Sequence, residues 1–381
     1  MIHVTATDPD VATAGWKRGK TVLKAAVVGI GNIAQVHMAV IDACPRAQLV
    51  ALCDTDPAKS KQRPTLPFYT DLNQLLKEVR PDVLHICLPH YLHLWAARQA
   101  AAAGCHVFCE KPSGLNLQEA LQMAGLEQQY GVRTAVCLQN RLNRTTETMR
   151  DLLASGKYGK VLNIRANLSW HRPEAYYQDS PWRSWLAKAG GGCLINQALH
   201  TMDLLPYLLD SPVVSLKAVC GQTLDYANEV EDTATIALRF ANGSTGLLQA
   251  SVANGLDEAV TFDIQAEKGK ILQRQQGVYA DDQDGLRLLA ADRPARIGKT
   301  CYGDSHALMI ERFYKAVETQ PMTVLAGQLP DDCRYVSAAD ALEVMLMLEA
   351  SYRSAAEHRR IELEDLYENA LLELSALPAQ A

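Results

Sequence analysis

Residues 22–34 read VLKAAVVGIGNIA, and this stretch decides the fold. The run Val22–Val28 is apolar and typical of a buried strand, and the residues from Asn32 to about Ala43 predict a helix. The turn between them has the pattern Gly29-x-Gly31-x-x-Ala34. Its first glycine permits a tight turn, its second lets the main chain approach a pyrophosphate, and its small third residue allows close helix packing. The stretch therefore predicts a dinucleotide-binding strand–turn–helix unit.

Apolar strands and helices continue to alternate as far as residue 138. The predicted strands are Gln48–Cys53, Val83–Leu88, His106–Cys109 and Thr134–Leu138, and the predicted helices are Asp71–Val79, Leu92–Ala103 and Leu117–Tyr130. Polar and apolar residues alternate little within these strands. Such strands indicate a parallel sheet that is covered by helices on both faces.

The pattern changes near Gln139-Asn140-Arg141, and the second half of the chain is rich in strands. After a predicted helix at Thr146–Ala154, the predicted strands are Val161–Ser169, Val214–Val219, Thr233–Phe240, Ser244–Ser251, Val260–Ala266 and Gly269–Gln273. Asn242-Gly243 and Lys268-Gly269 indicate tight turns between neighbouring strands. The last predicted helices run from about His306 to Thr319 and over Ser337–His358. We interpret this half as an α+β domain dominated by one sheet.

The length of 381 residues suggests two domains. We expect an N-terminal extension over residues 1–21 and a Rossmann domain over 22–141. A substrate-binding and oligomerisation domain is expected over 142–365, followed by a C-terminal tail over 366–381 that is helical or frayed.

Composition favours a cytoplasmic globular protein. Hydrophobic residues make up 48% and the formal net charge is −6, so neither nucleic acid nor a membrane is an expected partner. No apolar run approaches the ~20 residues that span a bilayer, and the first 20 residues lack the apolar core of a secretory signal. The ten cysteines are scattered without a CxxC pair, which is typical of reduced thiols rather than a disulfide framework or metal site.

An acidic residue in the expected place strengthens the dinucleotide prediction. Asp54 lies 20 residues beyond Ala34, just after the second predicted strand. A carboxylate there accepts hydrogen bonds from the adenosine ribose and repels a 2′-phosphate, which favours NAD over NADP. Asp56 is a competing carboxylate, although its position before Pro57 also fits a helix cap.

Glu110-Lys111-Pro112 follows a predicted parallel strand, so it lies at the edge of the sheet where ligands bind. A lysine beside a nicotinamide ring can assist proton loss from an alcohol or stabilise the developing alkoxide. The alternative is a surface lysine paired with Glu110. The position at the strand edge favours a role in catalysis.

The segment Gly190–Asp203 is the second unusual feature, because three glycines lead directly into a predicted helix. In one continuous helix Asn196, His200 and Asp203 would share a face. Asp203 could then hold one imidazole nitrogen of His200 while the other exchanges a proton with the substrate. A helix-face histidine satisfied by Asp203, with no role in the chemistry, is an equally good interpretation of the spacing.

Aromatic and cationic residues cluster upstream, at Trp170-His171-Arg172, Tyr176-Tyr177 and Trp182-Arg183. Aromatic faces stack on the C–H surfaces of sugars, and arginines bind hydroxyl, carboxylate or phosphate groups. A loop pinned by aromatic packing is the alternative. The histidines show no metal-ligand spacing, so no metal is expected.

Together these residues resemble the Gfo/Idh/MocA family of oxidoreductases over about residues 22–365. The matching segments are Gly29–Ala34, Cys53-Asp54, Pro89–His93, Gly104-x-His106-Val107, Glu110-Lys111-Pro112, Gln139-Asn140-Arg141 and Gly190–Asp203. The glycine turn is found in many families, whereas Glu110-Lys111-Pro112 and Gly190–Asp203 together are specific to this one. The resemblance implies an α/β protein, with an N-terminal Rossmann domain followed by an α+β domain that has a large, mostly antiparallel open sheet.

The resemblance also implies which residues form the site. Lys111 and His200 match the family's catalytic lysine and histidine. The residues expected to bind the cofactor are Gly29, Gly31, Asn32, Ile33, Asp54, Leu88, Pro89, His93, Glu110, Lys111 and Gln139. Those expected to bind the substrate are Lys111, Arg172, Tyr176, Trp182, Arg183, Asn196, Gln197 and His200.

The implied function is NAD-dependent hydride transfer to or from a secondary alcohol of a sugar, sugar derivative or polyol. Three alternatives stay open: an inositol dehydrogenase, a glycoside-cleaving or eliminating enzyme that recycles its NAD, and a non-catalytic sugar or cofactor sensor. The inositol-dehydrogenase pattern has an aspartate four residues before the histidine, where this chain has Asn196, which argues against inositol itself. Assembly as a homodimer or homotetramer through the C-terminal sheet is also implied.

Overall fold

Two sheets, one in each half of the chain, organise the molecule. The computed structural model describes residues 22–275, 277–292 and 304–376. The expected N-terminal extension over residues 1–21, and residues 377–381 of the expected tail, lie outside the described residues.

The first sheet has six parallel strands in the order β3-β2-β1-β4-β5-β6. They are β1 Leu23–Val28, β2 Ala47–Cys53, β3 Phe68–Tyr69, β4 Val83–Ile86, β5 His106–Cys109 and β6 Thr134–Val136. The central strands are buried on both faces, which explains their unbroken apolar composition. The strand order reverses between β1 and β4, so a crevice for a ligand opens there at the carboxyl edge.

Four helices connect these strands: α1 Asn32–Ala43, α2 Leu72–Val79, α3 His93–Ala102 and α4 Leu117–Tyr130. Local side chains fix their ends. Asp71 and Asn116 accept main-chain N–H groups at the starts of α2 and α4, and Gly131 ends α4 with a φ of 64°. The predicted parallel sheet and its helices are therefore confirmed.

The second sheet has nine strands in the order β14-β13-β12-β11-β7-β10-β9-β8-β15. They are β7 Val161–Ser169, β8 Val213–Gly221, β9 Thr233–Phe240, β10 Thr245–Ser251, β11 Thr261–Ala266, β12 Gly269–Arg274, β13 Gly277–Asp282, β14 Gly285–Ala291 and β15 Ile361–Glu362. Among these described strands, only β7 and β10 pair parallel. The large, mostly antiparallel sheet predicted for this half is confirmed.

The two predicted tight turns join neighbouring strands of this sheet. Asn242-Gly243 joins the antiparallel strands β9 and β10, with Gly243 at a φ of 86°, and Ala266 pairs with Gly269 across a tight turn. The strands β3, β13, β14 and β15 were not predicted. Two of them have two residues each, and the other two carry acidic or basic residues in short runs that do not suggest strands.

The described part of the second half contains eight helices: α5 Arg144–Ala154, α6 Glu174–Gln178, α7 Leu186–Ala189, α8 Cys193–Asn196, α9 Leu199–Leu209, α10 Ser305–Thr319, α11 Leu342–Glu357 and α12 Leu363–Ala376. The helix predicted to begin at Ser337 begins at Leu342. Ser337 instead exchanges hydrogen bonds with Asp340 in a turn, which delays the helix. The last helix, α12, crosses the domain boundary expected at residue 365. Within the described residues, no helix is long and apolar enough to cross a membrane.

The first sheet is completed by residues from the end of the chain. Val136 of β6 donates its N–H to the carbonyl of Val336, and Ala338 donates to Thr134. Helix α10 packs against α1, and Arg46 and Glu318 form an ion pair between the two segments. Segments from beyond residue 304 therefore pack against the first sheet.

Candidate active site

The glycine turn between β1 and α1 has the geometry that a dinucleotide needs. Gly29 has a φ of 83°, and a Cβ there would lie 2.6 Å from the carbonyl oxygen of Cys87. By contrast, a Cβ on Gly31 would extend into open space, at the start of α1 where no side chain caps the helix. This open approach to free N–H groups fits a pyrophosphate. Asn32 and Ile33 form the first turn of this helix.

Asp54 lies at the end of β2, where an adenosine ribose would bind. Its carboxylate accepts hydrogen bonds from the N–H groups of Ile30 and Asp56 and from the ammonium of Lys59, at 2.7, 3.0 and 2.8 Å. Burial acts to raise the pKa of Asp54, but these hydrogen bonds outweigh it and leave the pKa lowered. Asp56 instead caps the short helix that begins at Pro57. The geometry thus favours Asp54 over Asp56 for the ribose.

Lys111 reaches from the carboxyl edge of the first sheet to the second half of the chain. Its Nζ donates to the carbonyl oxygen of Asn196 at 2.6 Å. Burial lowers the pKa of Lys111 to about 8, with Glu110 opposing this decrease and Arg183 adding to it. An amine with this pKa can exchange a proton near neutral pH.

Asn196 and Gln197 hold Tyr176. Their side-chain amides donate to the Tyr176 hydroxyl at 3.0 and 3.1 Å. Two donors fill the acceptor positions of that hydroxyl, so its own proton can be directed to a substrate oxygen. Tyr176 therefore lies one hydrogen bond from the segment that also holds Lys111.

His200 is 8% exposed, and its Nδ1 has no hydrogen-bond partner among the described residues. Burial and the charge of Lys111 lower its pKa to about 3. The prediction that Asp203 hydrogen-bonds His200 is wrong, because Asp203 is bound by the guanidinium of Arg141 through contacts of 2.5 and 2.8 Å. The helix is interrupted between α8 and α9, so Asn196 does not share one helix face with His200 as predicted.

The three glycines before α8 are required by close packing. A Cβ on Gly192 would lie 1.8 Å from the main-chain oxygen of Glu231. The carboxylate of Glu231 accepts hydrogen bonds from the N–H groups of Gly192 and Leu194, which fixes the start of α8. This contact positions the peptide of Asn196 that holds Lys111.

Glu110, which is expected to bind the cofactor, contacts His37 on α1 at 2.9 Å. His37 also contacts His85 at 2.9 Å, and His85 contacts the hydroxyl of Tyr314 at 2.6 Å. One assignment of the histidine tautomers satisfies all three hydrogen bonds: Tyr314 donates to His85, His85 to His37, and His37 to Glu110. Burial acts to raise the pKa of Glu110, but the hydrogen bond from His37 opposes it, and the pKa lies well below its usual range.

This hydrogen-bonded chain was missed in the sequence, because its members come from β4, α1, α10 and the edge of β5. The ligand atoms of His37, Glu110 and Cys137 lie within 4.8 Å of one another, a spacing that could also hold a metal ion. Both nitrogens of His37 are already used, so the arrangement is satisfied by hydrogen bonds alone.

His93, another expected cofactor residue, contacts two main-chain carbonyl groups. Its two ring nitrogens lie 2.7 and 2.8 Å from the carbonyl oxygens of Pro112 and Leu88. It therefore lies between the Leu88-Pro89 turn and the lysine turn. Gln139 is buried just beyond β6, where Cys137 contacts its side-chain oxygen at 3.5 Å.

The aromatic residues gather around Tyr176. The guanidinium groups of Arg183 and Arg172 lie 4.1 and 5.6 Å from its ring centroid. Trp182 packs on the ring of His90 with centroids 4.7 Å apart, and His90 hydrogen-bonds the carbonyl of Ala189. His90 was not predicted, and its position beside Pro89 was the only sequence signal for it.

Known proteins share both halves of this architecture. The family model "Oxidoreductase family, NAD-binding Rossmann fold" matches residues 23–138, and "GFO/IDH/MocA C-terminal domain" matches residues 146–272. The chain belongs to the GFO/IDH/MocA oxidoreductase family. The resemblance found in the sequence is therefore confirmed. As a member of this family, the protein is an NAD-dependent oxidoreductase that acts on alcohol groups.

Similar proteins cover almost the whole chain. D-glucoside 3-dehydrogenase of Escherichia coli is 24% identical over 90% of this chain and 97% of its own length. Myo-inositol 2-dehydrogenase of Thermotoga maritima is 24% identical over 90% of this chain and 99% of its own length. The crystal structure of the WlbA dehydrogenase from Bordetella pertussis with NADH and UDP-GlcNAcA is 27% identical, with a TM-score of 0.76, and covers 90% of this chain and 99% of that chain.

Proposed function

We propose that this GFO/IDH/MocA oxidoreductase oxidises, reversibly, a secondary alcohol of a sugar, sugar derivative or polyol. The observation that carries the proposal is the contact of the Lys111 ammonium with the Asn196 carbonyl. This contact joins the lysine of the first sheet to the segment that carries His200 and holds Tyr176. A proton-exchanging amine, a hydroxyl donor and an imidazole then surround one position beside the NAD crevice.

In this proposal Lys111, as the free amine, removes the hydroxyl proton of the substrate. Bound NAD accepts the hydride from the same carbon. The Tyr176 hydroxyl donates a hydrogen bond to a neighbouring substrate oxygen, since its acceptor positions are filled by Asn196 and Gln197. In the reverse direction the Lys111 ammonium returns the proton to the developing alkoxide.

His200 orients the substrate and does not carry the proton. Its pKa of about 3 keeps the ring neutral at physiological pH. A neutral imidazole has one donor and one acceptor nitrogen, and the buried Nδ1 lacks a partner among the described residues. A substrate hydroxyl supplies that partner, which satisfies an atom that is costly to leave unpaired.

The sugar-like substrate is supported by the aromatic cluster and by the relatives. Trp170, Tyr176 and Trp182 offer ring faces beside Arg172 and Arg183, a combination that suits the C–H faces and oxygens of a pyranose. Relatives carry the names D-glucoside 3-dehydrogenase and myo-inositol 2-dehydrogenase. The ring chemistry common to these names is oxidation of a secondary CH–OH.

A substrate screen tests the proposal. The holoenzyme is incubated with NAD and a panel of glycosides, free sugars and polyols, and formation of NADH is followed by absorbance. We expect NADH to accumulate with a subset of ring alcohols. A product that forms without net NADH would instead support glycoside cleavage with recycled NAD. Binding without any product from the panel would support the sensor and contradict the proposal.

We also propose a homodimer or homotetramer that forms through the second sheet. Helices α9 and α11 pack against this sheet, and residues in β8, β9 and β10 alternate between buried and more exposed positions. The outward side includes Val219, which is 67% exposed, together with Leu247 and Ala237. Light scattering of wild type and Val219→Glu tests this; a monomeric wild type would contradict it.

A cytoplasmic location is proposed from the cysteines. Nine of them are described, all with free thiols, and eight of these nine are buried. Reduced, buried thiols are typical of proteins from a reducing compartment. Fractionation of the native cells tests this location.

A further inference from the structure

Four buried residues form a continuous row of hydrogen bonds that ends on Glu110, the residue before Lys111. The Tyr314 hydroxyl contacts His85 at 2.6 Å, and His85 contacts His37 at 2.9 Å. His37 in turn contacts the Glu110 carboxylate at 2.9 Å. All four residues are buried, so their polar atoms depend on one another for hydrogen bonds. We name these four residues the histidine relay.

The Tyr314 end of the relay sets the direction in which its protons point. Burial raises the pKa of Tyr314 well above its usual range, so the hydroxyl keeps its proton. Among the described residues, only His85 hydrogen-bonds this hydroxyl, and a proton directed elsewhere would stay unpaired in the core. The hydroxyl therefore donates to Nε2 of His85, whose own proton lies on Nδ1 and is donated to His37. The proton of His37 then lies on Nε2, facing Glu110.

This proton on His37 stabilises Glu110 as an anion. Burial acts to raise the pKa of Glu110, but the hydrogen bond from His37 opposes it, and the pKa lies well below its usual range. Other neighbours offer less: His306 Nε2 is 3.8 Å from the same carboxylate oxygen, and Cys137 offers a thiol, which is a weak donor. Without the His37 proton, a carboxylate at this depth would take up a proton of its own.

The charge of Glu110 in turn affects how readily Lys111 loses a proton. Burial lowers the pKa of Lys111 to about 8, and the Glu110 carboxylate opposes this decrease. A nearby opposite charge typically changes a pKa by about 1 to 3 units. If Glu110 were neutral, the pKa of Lys111 would therefore lie about 1 unit or more lower.

Several other titratable or charged groups face Lys111 or Glu110. Beyond His37, they are Arg183, five histidines (His85, His90, His93, His200 and His306) and three cysteines (Cys87, Cys109 and Cys137). Burial lowers the pKa of each of the five histidines and raises that of each cysteine, so all of them are neutral where Lys111 titrates. Arg183 is a permanent cation, and bound NAD adds its pyrophosphate and nicotinamide charges equally to the wild type and to every variant. Differences between variants of the relay therefore report the charge of Glu110.

We propose that His37 is a positioning residue for the reaction: its proton holds Glu110 as an anion, and this charge sets the pH range in which Lys111 accepts the hydroxyl proton of the substrate. His85 and Tyr314 act through His37 by fixing its tautomer. This inference rests on the proposed dehydrogenase function and adds three buried residues to it.

The test follows the titration of Lys111 in the intact, NAD-loaded enzyme by two measurements. The first is kcat/KM against pH, from NADH absorbance, with the most rapidly oxidised alcohol of a panel of glycosides, free sugars and polyols. The second needs no substrate: acetic anhydride labels only the free amine, and mass spectrometry of the peptide that contains Lys111 gives its reactivity at each pH. For the wild type we expect both curves to rise around pH 8.

Two substitutions of His37 separate its proton from its packing. In His37→Gln the side-chain amide can place an N–H where Nε2 was, whereas His37→Met is of similar size and has no donor. Both lose the contact with His85. His37→Met should move both curves to lower pH by about 1 unit or more, and His37→Gln should leave them within about 0.3 unit of the wild type.

Glu110→Gln tests the charge directly, even if His37→Met does not fold. It keeps an acceptor for His37 and removes the charge, so both curves should move to lower pH by about 1 unit or more. Glu127→Gln is the matched control, because the Glu127 carboxylate accepts the N–H of Thr134 at 2.7 Å in another part of the first domain. It should leave both curves in place.

Tyr314→Phe tests the other end of the relay. In enzyme with 15N-labelled histidine, NMR should place the His37 proton on Nε2 in the wild type, and the Nδ1 form should appear in the variant. An unchanged His37 tautomer would remove Tyr314 from the relay.

The outcomes separate the relay from the reaction that it serves. Oxidation of an alcohol with unmoved curves in His37→Met and Glu110→Gln would overturn the relay and leave the dehydrogenase proposal standing. Equal movement in His37→Gln and His37→Met would also overturn it, because packing rather than the proton would then be responsible. Moved labelling curves without oxidation of any alcohol in the panel would support the relay and count against the proposed reaction.

Discussion

Lys111 is the residue on which the proposed chemistry depends, and its surroundings affect its pKa in opposite directions. Burial and Arg183 favour the neutral amine, whereas Glu110 favours the ammonium. The result, a pKa of about 8, allows the side chain to take a proton from an alcohol and return it. The proposed catalytic role therefore depends on the environment as much as on the residue type.

The pH dependence of alcohol oxidation should therefore report Lys111. Only the neutral amine accepts a proton, so kcat/KM should rise with pH and level off above about pH 8. In Lys111→Ala turnover should fall at least about 100-fold and the rise should disappear, while NAD still binds. His200→Asn should keep the rise, because burial and Lys111 hold the pKa of His200 near 3. A rise retained in Lys111→Ala would remove Lys111 from proton transfer.

Cofactor choice depends on a contact between Asp54 and Lys59. In Asp54→Ala the ribose loses its acceptor and Lys59 loses its partner, leaving an ammonium that can bind a 2′-phosphate. KM for NAD should rise by about 10-fold or more and the preference for NAD over NADP should narrow. Adding Lys59→Ala to this variant should abolish its improved use of NADP. Asp56→Ala should change neither KM for NAD nor the preference for NAD appreciably. Unchanged preference in Asp54→Ala would assign the ribose to another residue.

At this scale, the sequence predicted residues whose roles follow from motifs and missed those whose roles depend on partners. Lys111 and Asp54 lie where strand ends require them. The predicted pairing of His200 with Asp203 was wrong although both lie in α9, because Arg141, from a distant segment, binds the Asp203 carboxylate. The contact of Glu110 with His37 was missed because the two residues are 73 positions apart in the sequence.

At the scale of elements, the tie between β6 and the loop after α10 stands out because it is made by a buried arginine. Arg133 is 1% exposed, and its guanidinium donates to the carbonyl oxygens of Gln320, Pro321 and Val324 and to the hydroxyl of Tyr335. An arginine beside a predicted strand suggests an exposed side chain. The carbonyl groups that surround it come from almost 200 residues later, beyond the reach of local patterns.

Removing this tie should destabilise the protein strongly. Arg133→Met leaves three carbonyl oxygens without their donor in a buried setting, and we expect the free energy of unfolding to fall by about 3 kcal/mol. Arg353→Met is the control, because Arg353 pairs with Glu357 on an exposed helix face and should cost less than about 0.5 kcal/mol. Urea unfolding measures both. Equal, small losses would contradict the structural role of Arg133.

Elements with a strong apolar pattern of their own were predicted well, and strands that depend on their neighbours were not. β5, β7, β9 and α4 have the predicted bounds because their apolar periodicity and end signals agree. β13 and β14 were missed because they are sheet-edge hairpin strands held by their neighbours rather than by their own sequence. β15 has two residues and exists only because β8 is there to pair with it.

At the scale of the whole molecule, the two sheets are interlocked. The chain leaves the first sheet after β6, builds the second sheet, and returns with α10 and Val336 to cover the first. Gln118 on α4 also donates to the carbonyl oxygen of Ala370 on α12. The halves therefore share their stability as well as the site between Lys111 and Asn196.

The isolated segment 22–141 should consequently fail to fold stably. Without α10 and Val336, Tyr314 is absent from the His85–His37–Glu110 chain, the edge of β6 is unpaired, and Arg133 lacks its carbonyl partners. We expect no cooperative thermal transition by circular dichroism and no NAD binding, whereas the full chain should show both. A fragment that melts cooperatively and binds NAD would show that the covering segments are dispensable.

The meeting of Arg133 with Tyr335 spans 202 residues of chain. At the usual pace of translation, the ribosome needs about 10 to 40 s to make that stretch. During that interval the edge strand β6 of the nascent nucleotide-binding sheet is unpaired, because the segment around Val336 that pairs with it has not yet been made. Until the segment around Tyr335 has been synthesised, the exposed edge of β6 therefore depends on cellular chaperones for protection from aggregation.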